Sequence, residues 1–190
     1  MSLNLIKGSP KEKRQKVDFL TLAAFLDPQY ISERYFRAYG TIDDGIEWKS
    51  LFRNVGEWDS DRLGDLLAEF RRLSLIEVLN RHDNEHAFSI HPLICDWMKF
   101  RKGVETRSRI IELTNMLATF LETRNFNDLP LEVNQETTRH VDAWSKQMKI
   151  FSKTLTKLYL LCLEGQLGFL QGTIRARAGT RRPNGYTDGH

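Results

Sequence analysis

Residues 88–101 read FSIHPLICDWMKFR, and the way this stretch divides decides the fold. Phe88 and Ile90 fall on one face of an alternating run, the pattern of a half-buried strand. His91 and Pro92 follow, and from there the apolar residues take helical spacing. Proline is tolerated at the first helical position, where its missing N–H would have had no partner anyway. A helix is therefore expected from about Pro92 to Arg101, with His91 at its N-cap. Just upstream, LIEVLN places Ile76 and Val78 in alternation with polar neighbours, and the turn-rich RHDNEH separates this run from AFSI. Two short alternating runs around a polar turn predict a β-hairpin that feeds directly into the Pro92 helix.

Upstream of the hairpin the chain reads as helical. In DSDRLGDLLAEFRRL, Leu63, Leu66, Leu67, Phe70 and Leu73 recur at helical spacing, and Asp59 or Ser60 can cap the start. VDFLTLAAFLDP (Val17–Pro28) is apolar nearly all round, the mark of a buried helix, and Asp27-Pro28 stops it because the residue before a proline is driven out of the helical region. A second helix is expected from roughly Ser32, its N-cap, to Tyr39, with Gly40 as its stop, and IEWKSLF reads as a short helical turn. Downstream, a break at Gly103 leads to a helix from about Thr106 to Thr123. Helices, a hairpin and another helix in this order make a winged-helix arrangement with an extra helical layer, a mainly α fold.

NFNDLP (Asn125–Pro130) reads as a boundary. Further helical patterns follow it at Val141, Trp144 and Met148 and at Leu155, Leu158 and Cys162. From Gly172 the residues GTIRARAGTRRPNGYTDGH have no apolar period. The expected organisation is a winged-helix domain over residues 1–127, a helical segment over 128–170 that begins a repeat array, and an unfolded tail over 171–190.

The 190 residues are 41% hydrophobic and 28% charged, enough apolar material to offset the ordering entropy of a globular domain. No run approaches the ~18 apolar residues of a membrane helix, and the opening MSLNLIKGSPKEKRQK has no signal-peptide pattern. Cys95 and Cys162 are too few for a disulfide framework and suit a reduced cytoplasm. The net charge of +3 is uneven. Residues 1–16 hold five Lys/Arg against one Glu and residues 153–190 hold six against two, so each end is +4 and the middle of the chain is −5.

Chemistry gathers at His91. An N-cap lies beside unpaired backbone N–H groups and the positive end of the helix dipole, the setting in which proteins hold phosphate. On the pattern alone a capping role leads: the imidazole closes the helix and bridges it to the hairpin. FLTLAAFLDPQYISERYF, WKSLF, LLAEFRRLSLIEV and FSIHPLICDWMKFR together resemble the winged-helix domain of NB-ARC proteins, and more narrowly the NLR-like (STAND-type) signal-transduction ATPases of filamentous fungi that carry tetratricopeptide repeats. The resemblance covers about Leu3–His140. It implies that His91 stands where the family's Met-His-Asp motif has its histidine, which touches the β-phosphate of ADP and holds the switch closed. Ile90 and His91 match the first two positions in character, and Pro92 replaces the aspartate, so only the histidine's role carries over. LEVNQETTRHVDAW likewise resembles the linker before the repeats.

The remaining nucleotide machinery is not in the sequence: no G-x-x-x-x-G-K-[ST] loop and no strand ending in paired acids are present. ADP or ATP is thus expected only in the context of a nucleotide-binding domain that would precede Met1, and the chain itself is expected not to be an enzyme. Its expected partners are that domain in cis and proteins bound through helical repeats, and the resemblance suggests a setting of non-self recognition. Two rivals stand beside this. One is a winged-helix DNA binder using SDRLGDLLAEFRRLS, disfavoured by an outward face that mixes Asp61, Asp65 and Glu69 with Arg62, Arg71 and Arg72 and by the acidic middle. The other is an interaction module built on the helices after Asn125, with no nucleotide. His91 and Cys95 share a helix face at metal-ligand spacing without a second pair, so Cys95 is expected as a buried small hydrophobe. Trp97, Leu93, Ile94 and Met98 are expected in the core, and His82 and His86 at the exposed hairpin turn.

Overall fold

Helix formation starts inside the basic N-terminal segment. The Ser9 hydroxyl accepts the Glu12 N–H at 3.3 Å while the Glu12 carboxylate accepts the Ser9 N–H at 2.8 Å. With Pro10 in the first helical position, this capping box opens α1 (Pro10–Ala23). The apolar run expected as a helix over Val17–Pro28 supplies the second half of α1 and the turn that leaves it. Phe19, Leu20 and Leu22–Leu26 are all buried, yet the helix ends at Ala23. There the Phe25 and Leu26 N–H groups bond Leu22 and Ala23 oxygens three residues back, which tightens the chain out of the helix.

The computed structural model describes residues 3–82, 85–101, 104–123 and 130–149, without the side chains of 80–82. The expected break at Gly103, most of the NFNDLP boundary, the expected repeat start beyond residue 149 with Cys162, and the tail lie outside the described residues. Residues Met1–Met148 form a first compact unit.

Within the first unit, β1 (Ile31–Ser32) runs into α2 (Glu33–Gly40), whose N-cap Ser32 accepts the Arg34 N–H. A 3-10 turn over Glu47–Phe52 leads to a small hairpin of β2 (Arg53–Asn54) and β3 (Glu57–Trp58), and then to α3 (Ser60–Arg72), capped by Asp59. The expected hairpin is present as β4 (Glu77–His82) and β5 (Glu85–Ser89), antiparallel with Val78 opposite Phe88. Next come α4 (Pro92–Phe100), α5 (Thr106–Thr123) and a helix over 131–149, α6. The fold is mainly helical with a small antiparallel sheet of order β1-β5-β4, the two-residue β1 pairing Ile31 with Phe88. α6 packs within the first unit.

The core is aromatic. The Phe19 ring sits 4.7 Å from Phe36, 5.0 Å from Phe52, 5.7 Å from Trp48 and 6.3 Å from Phe88, so one side chain of α1 touches α2, the 3-10 turn and the sheet. Gly40, expected as the stop of α2, is its last helical residue with Thr41 as the C-cap, and it is glycine for a packing reason: a Cβ there would lie 2.6 Å from the Trp58 ring. Buried carboxylates tie the layers together. Glu33, fully buried, accepts the Trp58 indole N–H at 2.7 Å, the Ser60 hydroxyl at 2.6 Å and the His86 backbone N–H at 3.0 Å. Glu112 of α5 accepts the Trp48 indole N–H at 2.6 Å and an Arg109 N–H at 2.7 Å.

Candidate functional site

The end of β5 sets the position of His91. The Ile90 N–H bonds the Pro28 carbonyl at 2.9 Å, which continues the β1–β5 pairing and fixes the chain one residue before the helix. His91 is then the N-cap of α4, and its Nδ1 accepts the Leu93 N–H at 3.2 Å. The His91 carbonyl takes the Ile94 and Cys95 N–H groups at 2.8 and 3.1 Å. Pro92 has no N–H to give. The backbone donors expected to be unpaired at this helix start are thus already used, three of them by His91 itself. An imidazole that accepts at Nδ1 carries its proton on Nε2. What the exposed His91 can offer a ligand is therefore one ring N–H, helped by the positive end of α4.

Of the α4 residues expected in the core, Met98 is buried and Ile94 half-buried, but Leu93 and Trp97 are not. Cys95 and Met98 face inward, whereas Leu93 is 72% exposed, Phe100 83% and Trp97 37%. Leu93, Trp97 and Phe100 recur at i, i+4 and i+7, so they form one apolar stripe that begins two residues after His91. The helix is apolar on two sides, and α1 covers only one of them.

The other expected candidates separate. Cys95 is buried, its Sγ 3.9 Å from the Ile90 carbonyl, and burial pushes its thiol up to about 11, so it is an inert core thiol and shares no ligand with His91. No group of three His, Cys, Asp or Glu suited to a metal ion occurs among the described residues. His86, expected at an exposed turn, is buried. It fits because α3 carries Gly64 at the contact, where a Cβ would stand 2.8 Å from the imidazole Cε1. The side chain of His82 lies outside the described residues. On α3, Asp61, Arg62, Asp65, Arg71 and Arg72 are exposed as expected. Glu69 is not: it is buried, with Lys16 Nζ at 2.8 Å and the Lys7 N–H at 2.6 Å.

Sequence reasoning missed a second histidine. His140 of α6 is fully buried, its Nδ1 accepts the Asp27 N–H at 3.1 Å, and its ring stands edge-on to Tyr35 with centroids 4.8 Å apart. Val133, Glu136, Thr137 and His140, all buried, recur at i, i+3, i+4 and i+7, and this mixed stripe of one apolar and three polar residues at helical spacing is the signal that marks the face. The Thr137 hydroxyl donates to the Val133 carbonyl at 2.7 Å and accepts from Tyr35 at 3.0 Å. Burial, with the nearby Glu136 charge, pushes the Tyr35 phenol far up, so it stays a protonated donor.

Comparison with family models, with curated proteins and with solved structures finds no match to this chain. No helix among the described residues is long and apolar enough to cross a membrane.

Proposed function

We propose that the chain is a regulatory winged-helix module of an NB-ARC, NLR-like signal-transduction ATPase, in which His91 supplies a phosphate contact that holds the ADP state. In this reading β4–β5 is the wing, α3 the helix before it, and α6 the linker toward a repeat array. The module regulates and does not catalyse, acts in the cytoplasm, and has a nucleotide-binding domain as its partner in cis. The observation that carries it is the state of His91: exposed, with Nδ1 committed to the Leu93 N–H and Nε2–H left to donate. The fit is confined to that single donor, since the first-turn backbone N–H groups are already bonded. Bound nucleotide would bring a multiply charged phosphate chain, and this chain's part is to orient one imidazole toward it.

Asparagine separates capping from phosphate contact, because its Oδ1 caps a helix well while its amide N–H groups, attached at Cγ, stop short of the place that Nε2–H reaches at the far end of the ring. In a protein that joins a P-loop ATPase domain to this chain, His91→Asn is expected to leave the unfolding midpoint unchanged. It should speed ADP release about 10–100-fold, the loss of a charge-assisted hydrogen bond of about 1.5–3 kcal/mol. An unchanged release rate removes the phosphate role.

A second reading, a protein-interaction module that never meets nucleotide, is favoured by the exposed Leu93, Trp97 and Phe100 stripe. It predicts partner capture that is lost with changes in the stripe and is indifferent to His91→Asn.

A further inference from the structure

We propose that His140 is a positioning residue for His91, acting through the Asp27-Pro28 turn, so that the seating of α6 sets the geometry of the α4 N-cap. The two histidines are joined by a short run of bonded groups. His140 Nδ1 accepts the Asp27 N–H at 3.1 Å, the Pro28 carbonyl accepts the Ile90 N–H at 2.9 Å, and Ile90 is peptide-bonded to His91, whose Nδ1 accepts the Leu93 N–H at 3.2 Å. Few soft torsions interrupt this run. Asp27 and Pro28 are adjacent, and the proline ring fixes one of the two torsions of its own residue. Ile31 and Ser32 pair with Phe88 and Ala87 just beyond, so the turn and the end of β5 move as one strip. Ile90 is buried, and a displacement of Pro28 carries its N–H, and with it His91, rather than being absorbed by solvent.

α6 is also the part of the unit made to shift. It is the last helix before the unit ends at Met148. Its inner face is held by polar pairs, Thr137 with Tyr35, His140 with Asp27, and the Trp144 indole N–H donating to the Thr114 hydroxyl at 2.8 Å. His140 Nε2 and Glu136 Oε1 are both buried, have no hydrogen-bond partner, and face each other at 3.6 Å, too long for a bond. Such groups give up their bonds to water on burial and regain none in the fold, and no comparable pair is unmet on α3. The α6 seam is therefore the weaker edge of a core otherwise closed by aromatic packing, and the relay begins on that edge.

The regulatory meaning of this coupling rests on His91 being the phosphate contact, since displacement of α6 would then loosen the ADP state. The coupling itself does not depend on that role and is read without nucleotide in the 190-residue chain. His140→Leu removes the acceptor for the Asp27 N–H, while His140→Asn retains one at nearly the same place. The readouts are amide hydrogen exchange at Ile90 and Leu93, compared with Leu66 and Leu67 in α3, and the NMR titration midpoint of the His91 ring. His140→Leu is expected to accelerate exchange about tenfold at Ile90 and Leu93 but not in α3 and to move the His91 midpoint; His140→Asn is expected to restore both. Exchange that rises equally in α3 and α4, or a His91 midpoint that does not move, makes His140 a core residue only and overturns the proposal. Should His140→Leu not fold, Tyr35→Phe loosens α6 by removing the hydroxyl that meets Thr137 and leaves the His140 acceptor in place. A smaller change confined to Ile90, Leu93 and His91 is then expected, and its absence overturns the proposal equally. If the relay holds while His91→Asn leaves ADP release unchanged, the phosphate role falls and the relay stands.

Discussion

α3 and α4 flank the β4–β5 hairpin, and both read as amphipathic helices, yet they finish differently. α3 turns Leu63, Leu66, Leu67 and Phe70 inward and leaves Asp61, Arg62, Asp65, Arg71 and Arg72 in water, so its apolar face is used up inside the fold. α4 buries Cys95 and Met98 and still holds Leu93, Trp97 and Phe100 outside. The difference separates a helix that completes a core from one with apolar surface to spare beside a polar donor. Burial of large side chains supplies most of the stability of a fold, so α3 is where the fold is held and α4 is where surface is left over for recognition.

That contrast can be broken most forcefully at Leu67. It is almost fully buried, and Leu67→Ala is expected to cost about 2–5 kcal/mol in urea-induced unfolding; a loss below about 1 kcal/mol would mean that α3 does not hold the core. Glu69 sharpens the contrast through pH. Burial works to raise its carboxyl, but the Lys16 hydrogen bond, the Lys7 N–H and the Lys16 and Arg72 charges outweigh burial and hold it below the ordinary range. A carboxyl lowered on folding contributes stability that is present above its unfolded value, about 4.3, and is lost as pH falls through the folded value. Glu69→Gln should therefore be less stable than the parent at neutral pH and should lose less as the pH falls below the unfolded value of about 4.3, as followed by thermal melts. Parallel curves would show that the Lys16 pair contributes nothing. The smallest effect belongs to α4. Leu93→Ser combined with Phe100→Ser is expected to change stability by under about 0.5 kcal/mol in the same urea assay, and a loss near that of Leu67→Ala would erase the distinction between the helices.

What was legible in the sequence was local. Ser32 and Asp59 as N-caps, the limits of α5, and the alternation that makes β4–β5 all follow from neighbours within a few residues. The start of α1 is also local, since Ser9, Pro10 and Glu12 spell a capping box, but within the first sixteen residues only the basic charge was read. β1 could not be seen, since two residues have no period and their pairing with β5 depends on contacts more than fifty residues away. β2–β3 hid because its turn is Val55-Gly56 rather than the usual Asn-Gly, with Val55 held at φ 51° and almost wholly in solvent. At the candidate site, the His91 cap was legible from Pro92. The exposure of Leu93 and Trp97 was not, because a helix apolar on two sides gives no sign of which one is covered. The burial of His86 depended on the missing side chain of Gly64, and that of Glu69 on a lysine fifty-three residues earlier.

The three-way bond of Glu33 has a bearing on how the chain assembles. Its donors, Trp58, Ser60 and His86, lie 25, 27 and 53 residues along the chain. A carboxylate without them would be a bare charge in an aromatic interior, a state that costs several kcal/mol. Glu33 can therefore settle only after the start of α3 and the hairpin have both closed upon α2, and those long loops must be ordered before the clip contributes anything. It belongs to the final stage of folding. For the same reason the finished unit resists opening piece by piece at this point, since withdrawing either partner segment leaves one carboxylate oxygen of Glu33 without its donors.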